Sequence, residues 1–348
     1  MRWWLGLVAA GVATAACGDN VSGYVPWRLD PLSDYEGMWV RTPEFDVGAG
    51  EEIQDCYFFR VPPQSRGTLM VDRLHLALNP GSHHMNVFRV KTIRMLDPAA
   101  GSPIDLGGVR GTVVRGGECW EPPNWQNWPL VTNSQQSQED DPVLVWNLPT
   151  GVATRFDPGE MLMMQVHYVN AVTQDTPYRG RAGINFYRSH DDDPMELGTL
   201  FATQQNVRVC RSDPRLTFDG TCSIPARTHT VAAVNGHFHS RGLRFSVYAW
   251  DGITTELPPT SARFYQSQRW SEPDMRTGLA VPLAPGGGIW WTCEYQWSEP
   301  PGGCAAIDAL DPLHANDCCY TFGPTVETSE HCNVFLYYYP KSDDIDCF

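Results

Sequence analysis

The sequence predicts an all-β protein, built as two tandem antiparallel jelly-roll-like β-sandwich domains. Three observations carry this. Short apolar or alternating runs recur along the chain, cut by Gly, Pro, Asn and Asp, which is the spacing of sandwiches and jelly rolls. No heptad and no long 3.6-residue period appears, so little helix is expected. The composition, with 31 Gly, 28 Pro, 13 Trp and 13 Tyr against only 19% charged residues, suits strands and turns better than helices. With 348 residues the chain can bury two cores.

Residues 1–16 read as a signal peptide: one positive charge, a short apolar run and small residues before Cys17. The apolar run is too short to cross a bilayer as a helix. Thr14-Ala15-Ala16-Cys17 resembles a bacterial lipoprotein cleavage box, which makes Cys17 a lipidated N-terminus and residues 17–39 a tether. Ordinary secretion with cleavage nearby is the alternative. The expected location is the bacterial cell envelope, in the periplasm or on the outer membrane.

Strands are expected within 67–78, 85–93, 161–169 and 182–187 of an N-terminal domain spanning 40–189. The polar, Pro-terminated stretch Ser189-His190-Asp191-Asp192-Asp193-Pro194 marks the boundary. A C-terminal domain over 190–348 follows, with strands within 231–235, 243–250 and 334–339. Segments 119–141, rich in Trp, Pro, Asn and Gln, and 299–329, rich in Pro, Gly and Cys, are expected to be surface excursions pinned by disulfides.

Of the eleven cysteines, setting aside Cys17 leaves ten, an even number that in an exported chain implies up to five disulfides. Thiolate metal ligation at Cys318-Cys319 is the alternative. The net charge of −15 argues against nucleic acid or an anionic membrane as a binding surface, leaving the lipid anchor as the only membrane contact.

Six of the ten histidines fall into four short clusters: His83-His84, His167, His237-Phe238-His239 and His331. Three neutral imidazoles suit copper or zinc, and a three-plus-three pattern suits two metal ions. His237 and His239 stand two apart, so on a strand both project from one face. His83 and His84 are adjacent and would face opposite ways on a regular strand; both can serve one site only at a turn or bulge. Gln165 and His167 share a face of an alternating strand. His75, His190 and His229 read as structural or solvated, whereas His314 lies in a Cys-rich loop that could fold toward the second site.

His83-His84-Met85, Gln165-Val166-His167-Tyr168 and His237-Phe238-His239 together resemble the copper type II, ascorbate-dependent monooxygenases, the family of peptidylglycine α-hydroxylating monooxygenase and dopamine β-monooxygenase. The resemblance covers roughly residues 40 to 345. It implies two coppers per chain, one on His83, His84 and His167 and a second on His237, His239 and His331. It further implies hydroxylation of a C–H bond of a small organic substrate with O2, each copper storing one electron from ascorbate or a similar reductant. The second site would bind O2 and face substrate, and the first would supply its electron across a cleft. Cys56 and Cys119 sit where the family has a disulfide, as do Cys293 and Cys332, and Cys222 is matched to Cys347. Pairing of Cys210, Cys304, Cys318 and Cys319 stays open.

Two departures qualify the resemblance. His331 stands where the family has a methionine ligand; imidazole holds Cu(II) better than a thioether does. Asn235 stands where peptide-amidating members carry an arginine for the peptide carboxylate, so a C-terminal glycine peptide is not expected as substrate. Asn333 and Phe335 fall at positions lining the family's substrate site, and Gln165 is expected to orient ligands. Two other readings compete: a non-enzymatic copper-binding or redox-relay lipoprotein, and a surface interaction module in which the sandwiches matter more than the metals.

Overall fold

A computed structural model describes residues 27–64, 67–79, 81–90, 112–115, 128–135, 142–170, 178–224, 227–307 and 317–347. It is all-β: among these residues the regular structure is strand, with short 3-10 turns and no α-helix. The expected leader, Cys17, Cys119 and His314 lie outside the described residues.

The strands form several sheets, almost all antiparallel. In the first half a six-stranded sheet is centred on Ala182–Arg188 and Leu69–Leu78. A five-stranded sheet runs in the order Thr112–Arg115, Glu52–Arg60, Met161–Val169, Ser82–Arg89, Leu130–Ser134. In the second half Gly198–Thr203, Asn333–Tyr339, His229–His237 and Val281–Leu283 form a four-stranded sheet. A five-stranded sheet there is built around Gly242–Trp250 and Gly288–Gln296. Strand pairing passes from the first group to the second at Leu197, because Met195–Glu196 still pairs, in parallel, with Val152–Phe156. The expected boundary at His190 precedes that change.

Alternation explains the strands. In Leu69–Leu78, for example, Leu69 and Val71 are buried, the phase then shifts by one residue at a bulge beside Arg73, which is exposed, and Leu74, Leu76 and Leu78 are buried beyond it. Met161–Val169 and Ser82–Arg89 are buried on both faces, because each is central in its sheet and the sheet is covered on both sides. One apolar cluster fills the first half but also takes in Ala232, Ala233, Met275, Phe335 and Tyr337 from the second. Tyr337 ties the seam: its hydroxyl donates to Asn133 Oδ1 at 2.6 Å and accepts the Asn133 amide at 2.8 Å. A second cluster fills the remainder of the C-terminal half.

Four disulfides join Cys210 to Cys319, Cys222 to Cys347, Cys293 to Cys332 and Cys304 to Cys318. They place folding in an oxidising environment. Cys56 is also disulfide-bonded. The bridges correct the thiolate alternative, since Cys318 and Cys319 are both oxidised and cannot ligate a metal as thiolates; for the same reason Cys210, Cys319 and nearby Asp317 do not form a metal site. The expectation of a surface excursion over 119–141 also needs correction in its described part. Leu130–Ser134 is a buried strand paired with Ser82–Arg89, and Gln135 behind it is 1% exposed. Its run of Trp, Pro, Asn and Gln reads as a loop in sequence, yet its amides are buried as hydrogen-bonding partners.

A candidate metal centre at the seam of the two halves

The first-half histidines are set by one strand pair. His84 stands directly opposite His167, where side chains of an antiparallel pair share a face. The next registered pair is Tyr168 with Ser82, so His83 is the extra residue of a β-bulge. That bulge lets two consecutive imidazoles serve one site: the His83 ring lies 5.3 Å from His84 and 5.0 Å from His167, centroid to centroid.

In the second half His237 pairs with Asn333, and Asn235 with Phe335. Continuing that antiparallel register brings His239 beside His331, whose rings stack at 4.3 Å. The Cys293–Cys332 bridge fastens the chain next to His331, and the Tyr295 hydroxyl donates to the His331 carbonyl. Buried Glu330 accepts the amides of His239 at 2.9 Å and Arg241 at 2.7 Å, holding the turn that follows His237.

The resemblance implies two sites facing each other across a cleft. The rings instead form one cluster. His237 lies 4.8 Å from His83 and 5.0 Å from His84, and His239 lies 5.4 Å from His83. One nitrogen each of His83, His237 and His239, drawn from both halves, fall within 4.8 Å of one another.

The neighbours decide which nitrogens face inward. His237 Nδ1 donates to Gln135 Oε1 at 2.8 Å, and His239 Nδ1 donates to the Ser329 carbonyl at 3.0 Å. Each neutral ring then keeps its lone pair on Nε2. His167 is reversed: Nε2 donates to Glu52 Oε1 at 2.7 Å, leaving the lone pair on Nδ1. The Nε2 atoms of His83, His237, His239 and His331 are buried with no hydrogen-bond partner among the described residues. Four buried orphan nitrogens in one place are costly unless something ligates them. Two nitrogens held about 2.0–2.1 Å from one ion at a tetrahedral angle stand about 3.3 Å apart. His167 Nδ1 and His84 Nε2 are separated by 3.3 Å, hydrogen-bonded to each other at a spacing that a metal could take up in place of the proton between them. The donor set therefore fits a transition-metal ion, since imidazole nitrogens suit zinc, copper, iron or nickel.

His331 Nδ1 faces Asn333 Nδ2 at 3.2 Å, while Asn333 Oδ1 is buried without a partner. Turning that amide by half a revolution exchanges the two atoms, so that Nδ1–H donates to Oδ1 and Nε2 is freed as a ligand.

Burial first, and the neighbouring imidazoles second, drive His83, His84, His237 and His331 well below the usual histidine range. His239 is lowered to about 4, chiefly by burial. The rings are thus neutral near pH 7, as ligation requires. Burial would raise Glu52, but hydrogen bonds from His167 and the Val326 amide overcome it and hold the carboxyl below its ordinary value. Glu330 is raised by burial to about 8, against the amides that lower it.

The supporting contacts cross the seam. Gln135, from the first half, binds His237, Asn235 Oδ1 at 2.6 Å and the Gly236 carbonyl. Glu52 accepts from His167 and also from the Val326 amide of the second half at 3.1 Å. Asn235, expected either to support the ligands or to contact substrate, is fully buried; its Oδ1 accepts from Gln135 Nε2 and its Nδ2 donates to the Pro273 carbonyl. Gln165 accepts from Asn86 Nδ2, which in turn faces His84 Nδ1. Asn333 and Phe335 do line a cleft beside the cluster, together with Gln165, Asn86 and Phe201.

Sequence reasoning missed Glu52, Gln135, Asn86 and Phe201. Asn86 had a signal, since it stands two residues after His84 on the same face. Glu52 and Gln135 had none, because only tertiary pairing brings them to rings more than 100 residues away.

No known protein family and no curated protein matches the chain. Among solved structures, a chain from the structure of infectious bursal disease virus, Gx strain, aligns over 89% of this chain and 77% of its own length. It is 7% identical with a TM-score of 0.12, a likeness that carries no argument.

Proposed function

We propose that this protein is a copper-dependent monooxygenase that hydroxylates a C–H bond of a small organic substrate with O2, using a one-electron reductant such as ascorbate. The observation carrying the reading is the gathering of six imidazoles from both halves into one contiguous cluster, four with buried, unpartnered Nε2 atoms. His83, His84, His167, His237, His239 and His331 would hold two coppers. When bound, copper supplies the one-electron redox chemistry and O2 binding that no side chain of the cluster provides. The reaction balances as R–H + O2 + 2 e⁻ + 2 H⁺ → R–OH + H2O, with both electrons from the reductant.

The protein's own part is orientation and exclusion of water. Gln135, Glu52 and the Ser329 carbonyl fix tautomers, so lone pairs point inward before a metal arrives. In contrast to the family's separated sites, we place both coppers in one cluster close enough to couple. On the sequence at Cys17 we also propose a lipid-tethered protein of the bacterial envelope.

The test combines metal analysis with turnover. Two coppers per chain are expected, with a Cu(II) EPR intensity well below the chemical copper content because the ions couple. Two full, uncoupled type 2 signals would rule out the single cluster. With ascorbate and O2, hydroxylated product should track reductant consumed. The second reading, a copper-binding or redox-relay protein, is favoured by the absence of a thioether, since six imidazoles retain Cu(II). Ascorbate oxidation without hydroxylated product across a broad C–H panel would establish it over the enzyme.

A further inference from the structure

A second cluster lies on the six-stranded sheet of the first half, on strands that carry none of the six histidines. Gly37–Arg41 pairs along Ala182–Arg188, with Arg41 opposite Gly183, and Arg181 comes immediately before the second of these strands. Trp27 and Leu29 pack there against Ala77. Gly183 allows this close approach: a Cβ on it would stand 2.6 Å from the Trp27 ring and 3.3 Å from Arg41 Cγ. Arg41 and Trp27 therefore meet over one glycine. Arg181 lies over the Trp27 ring at 4.4 Å, and Arg41 lies over the Trp39 ring at 4.9 Å.

Neither guanidinium is paired with a carboxylate among the described residues. Arg89, Arg155, Arg179, Arg241 and Arg244 each face one. With 40 acidic and 25 basic side chains in the chain, an acidic partner is the ordinary outcome. Arg41 Nε and Nη2 and Trp27 Nε1 are moreover buried with no hydrogen-bond partner among the described residues. Burial first, and the Arg181 charge second, hold Arg41 below the ordinary guanidinium value, while the exposed Asp30 carboxylate opposes them without pairing. Two adjacent like charges with unmade donors are unfavourable until an anion joins them. Stacking occupies the faces of the two guanidiniums and leaves their N–H edges free to donate in the ring plane.

We propose that Arg41 and Arg181, beside Trp27, form a binding site for a phosphate group. A guanidinium fork matches a pair of phosphate oxygens, and a phosphate monoester near neutral pH carries enough charge to balance both arginines. A carboxylate offers one charge and two oxygens, which leaves one arginine unmet. The net charge of −15 disfavours an anionic surface as a whole, yet two neighbouring arginines reverse the sign locally. The phosphate can belong to a soluble ester or to a lipid headgroup. The lipid source rests on the tether reading, because Cys17 stands ten residues before Trp27 and a chain of that length spans at most about 35 Å. The site itself rests on neither the tether nor copper.

The experiment uses the metal-free chain from Gly18 to Phe348, exported behind a secretory signal so that its disulfides form and no acyl chain is added. Inorganic phosphate and acetate are titrated calorimetrically at constant ionic strength. Phosphate should bind at least about tenfold more tightly than acetate, and Arg41→Gln and Arg181→Gln should each weaken it by at least about tenfold, the usual loss for a charged hydrogen-bonding partner. Asp30→Asn, which removes the opposing carboxylate, should tighten it. Phosphate should also raise the thermal midpoint of the unaltered protein but not of Arg181→Gln, a response that a purely structural arginine would not produce. Should Arg41→Gln not fold, Arg181→Gln carries the comparison alone. Undetectable phosphate binding, acetate binding as tight as phosphate, or unchanged affinity in the arginine variants overturns the assignment. Sedimentation with phosphatidylglycerol vesicles then separates the sources. Binding to the vesicles that Arg181→Gln abolishes identifies a lipid headgroup, whereas phosphate binding without vesicle binding identifies a soluble phosphate ester.

Discussion

At Gln135 one amide sets the tautomer of a histidine 102 residues further along the chain through its Oε1, while its Nε2 donates to Asn235 Oδ1. Replacing it with leucine keeps the bulk and removes the acceptor for His237 Nδ1. Copper affinity should then fall by about 10–100-fold, the usual effect of losing an outer partner of a ligand. Competition against a chelator of known affinity measures it, with circular dichroism as the check on folding. The same scale governs pH. His239 is neutral in the folded protein down to about pH 4 but protonates near 6.5 when unfolded. As pH falls below 6.5 the unfolded chain takes up protons first, so stability present above 6.5 drains away toward about 4. His83, His84, His237 and His331 shift in the same direction and add to the effect. Denaturant midpoints of the metal-free protein should therefore drop steadily across that window; a flat profile would contradict the burial of neutral rings.

Among the elements, His229–His237 is buried along most of its length and closely packed beside the site. A Cβ on Gly236 would sit 2.3 Å from the Phe245 ring, so Gly236→Ala must displace either the ring or the strand next to His237. Overpacking of this kind costs about 1–3 kcal/mol, read as a lower midpoint in urea together with weaker copper retention. Strand chemistry was legible here: alternation marks the buried faces, and the two-residue spacing of His237 and His239 places both on one side. The bulge at His83 was legible only as a requirement. Adjacent histidines demand one if both are ligands, but its position follows from Tyr168 pairing with Ser82 while His167 pairs with His84.

For the whole molecule, the shared seam decides cooperativity. Phe335, Tyr337, Ala232 and Ala233 belong to the core of the first half although they lie on strands of the second. A fragment ending near Leu197 would lose that cover, and its partner would expose the same face. The intact protein should unfold in one calorimetric transition, and copper should raise its midpoint as a single unit, since ligands bind only the folded state. Two well-separated transitions, with copper shifting each, would mean independent halves and separate metals.

The sequence by itself determined what local chemistry can encode. Its short alternating runs gave an all-β chain, its cysteines gave an oxidised framework, and its histidine spacings named the six imidazoles. Tertiary structure decided how those imidazoles are grouped. Periodicity specifies the face on which a side chain lies but not which other face it meets. Only the packing of one half on the other, through Gln135, Glu52 and Tyr337, brings His83 beside His237 and makes one cluster of two expected sites.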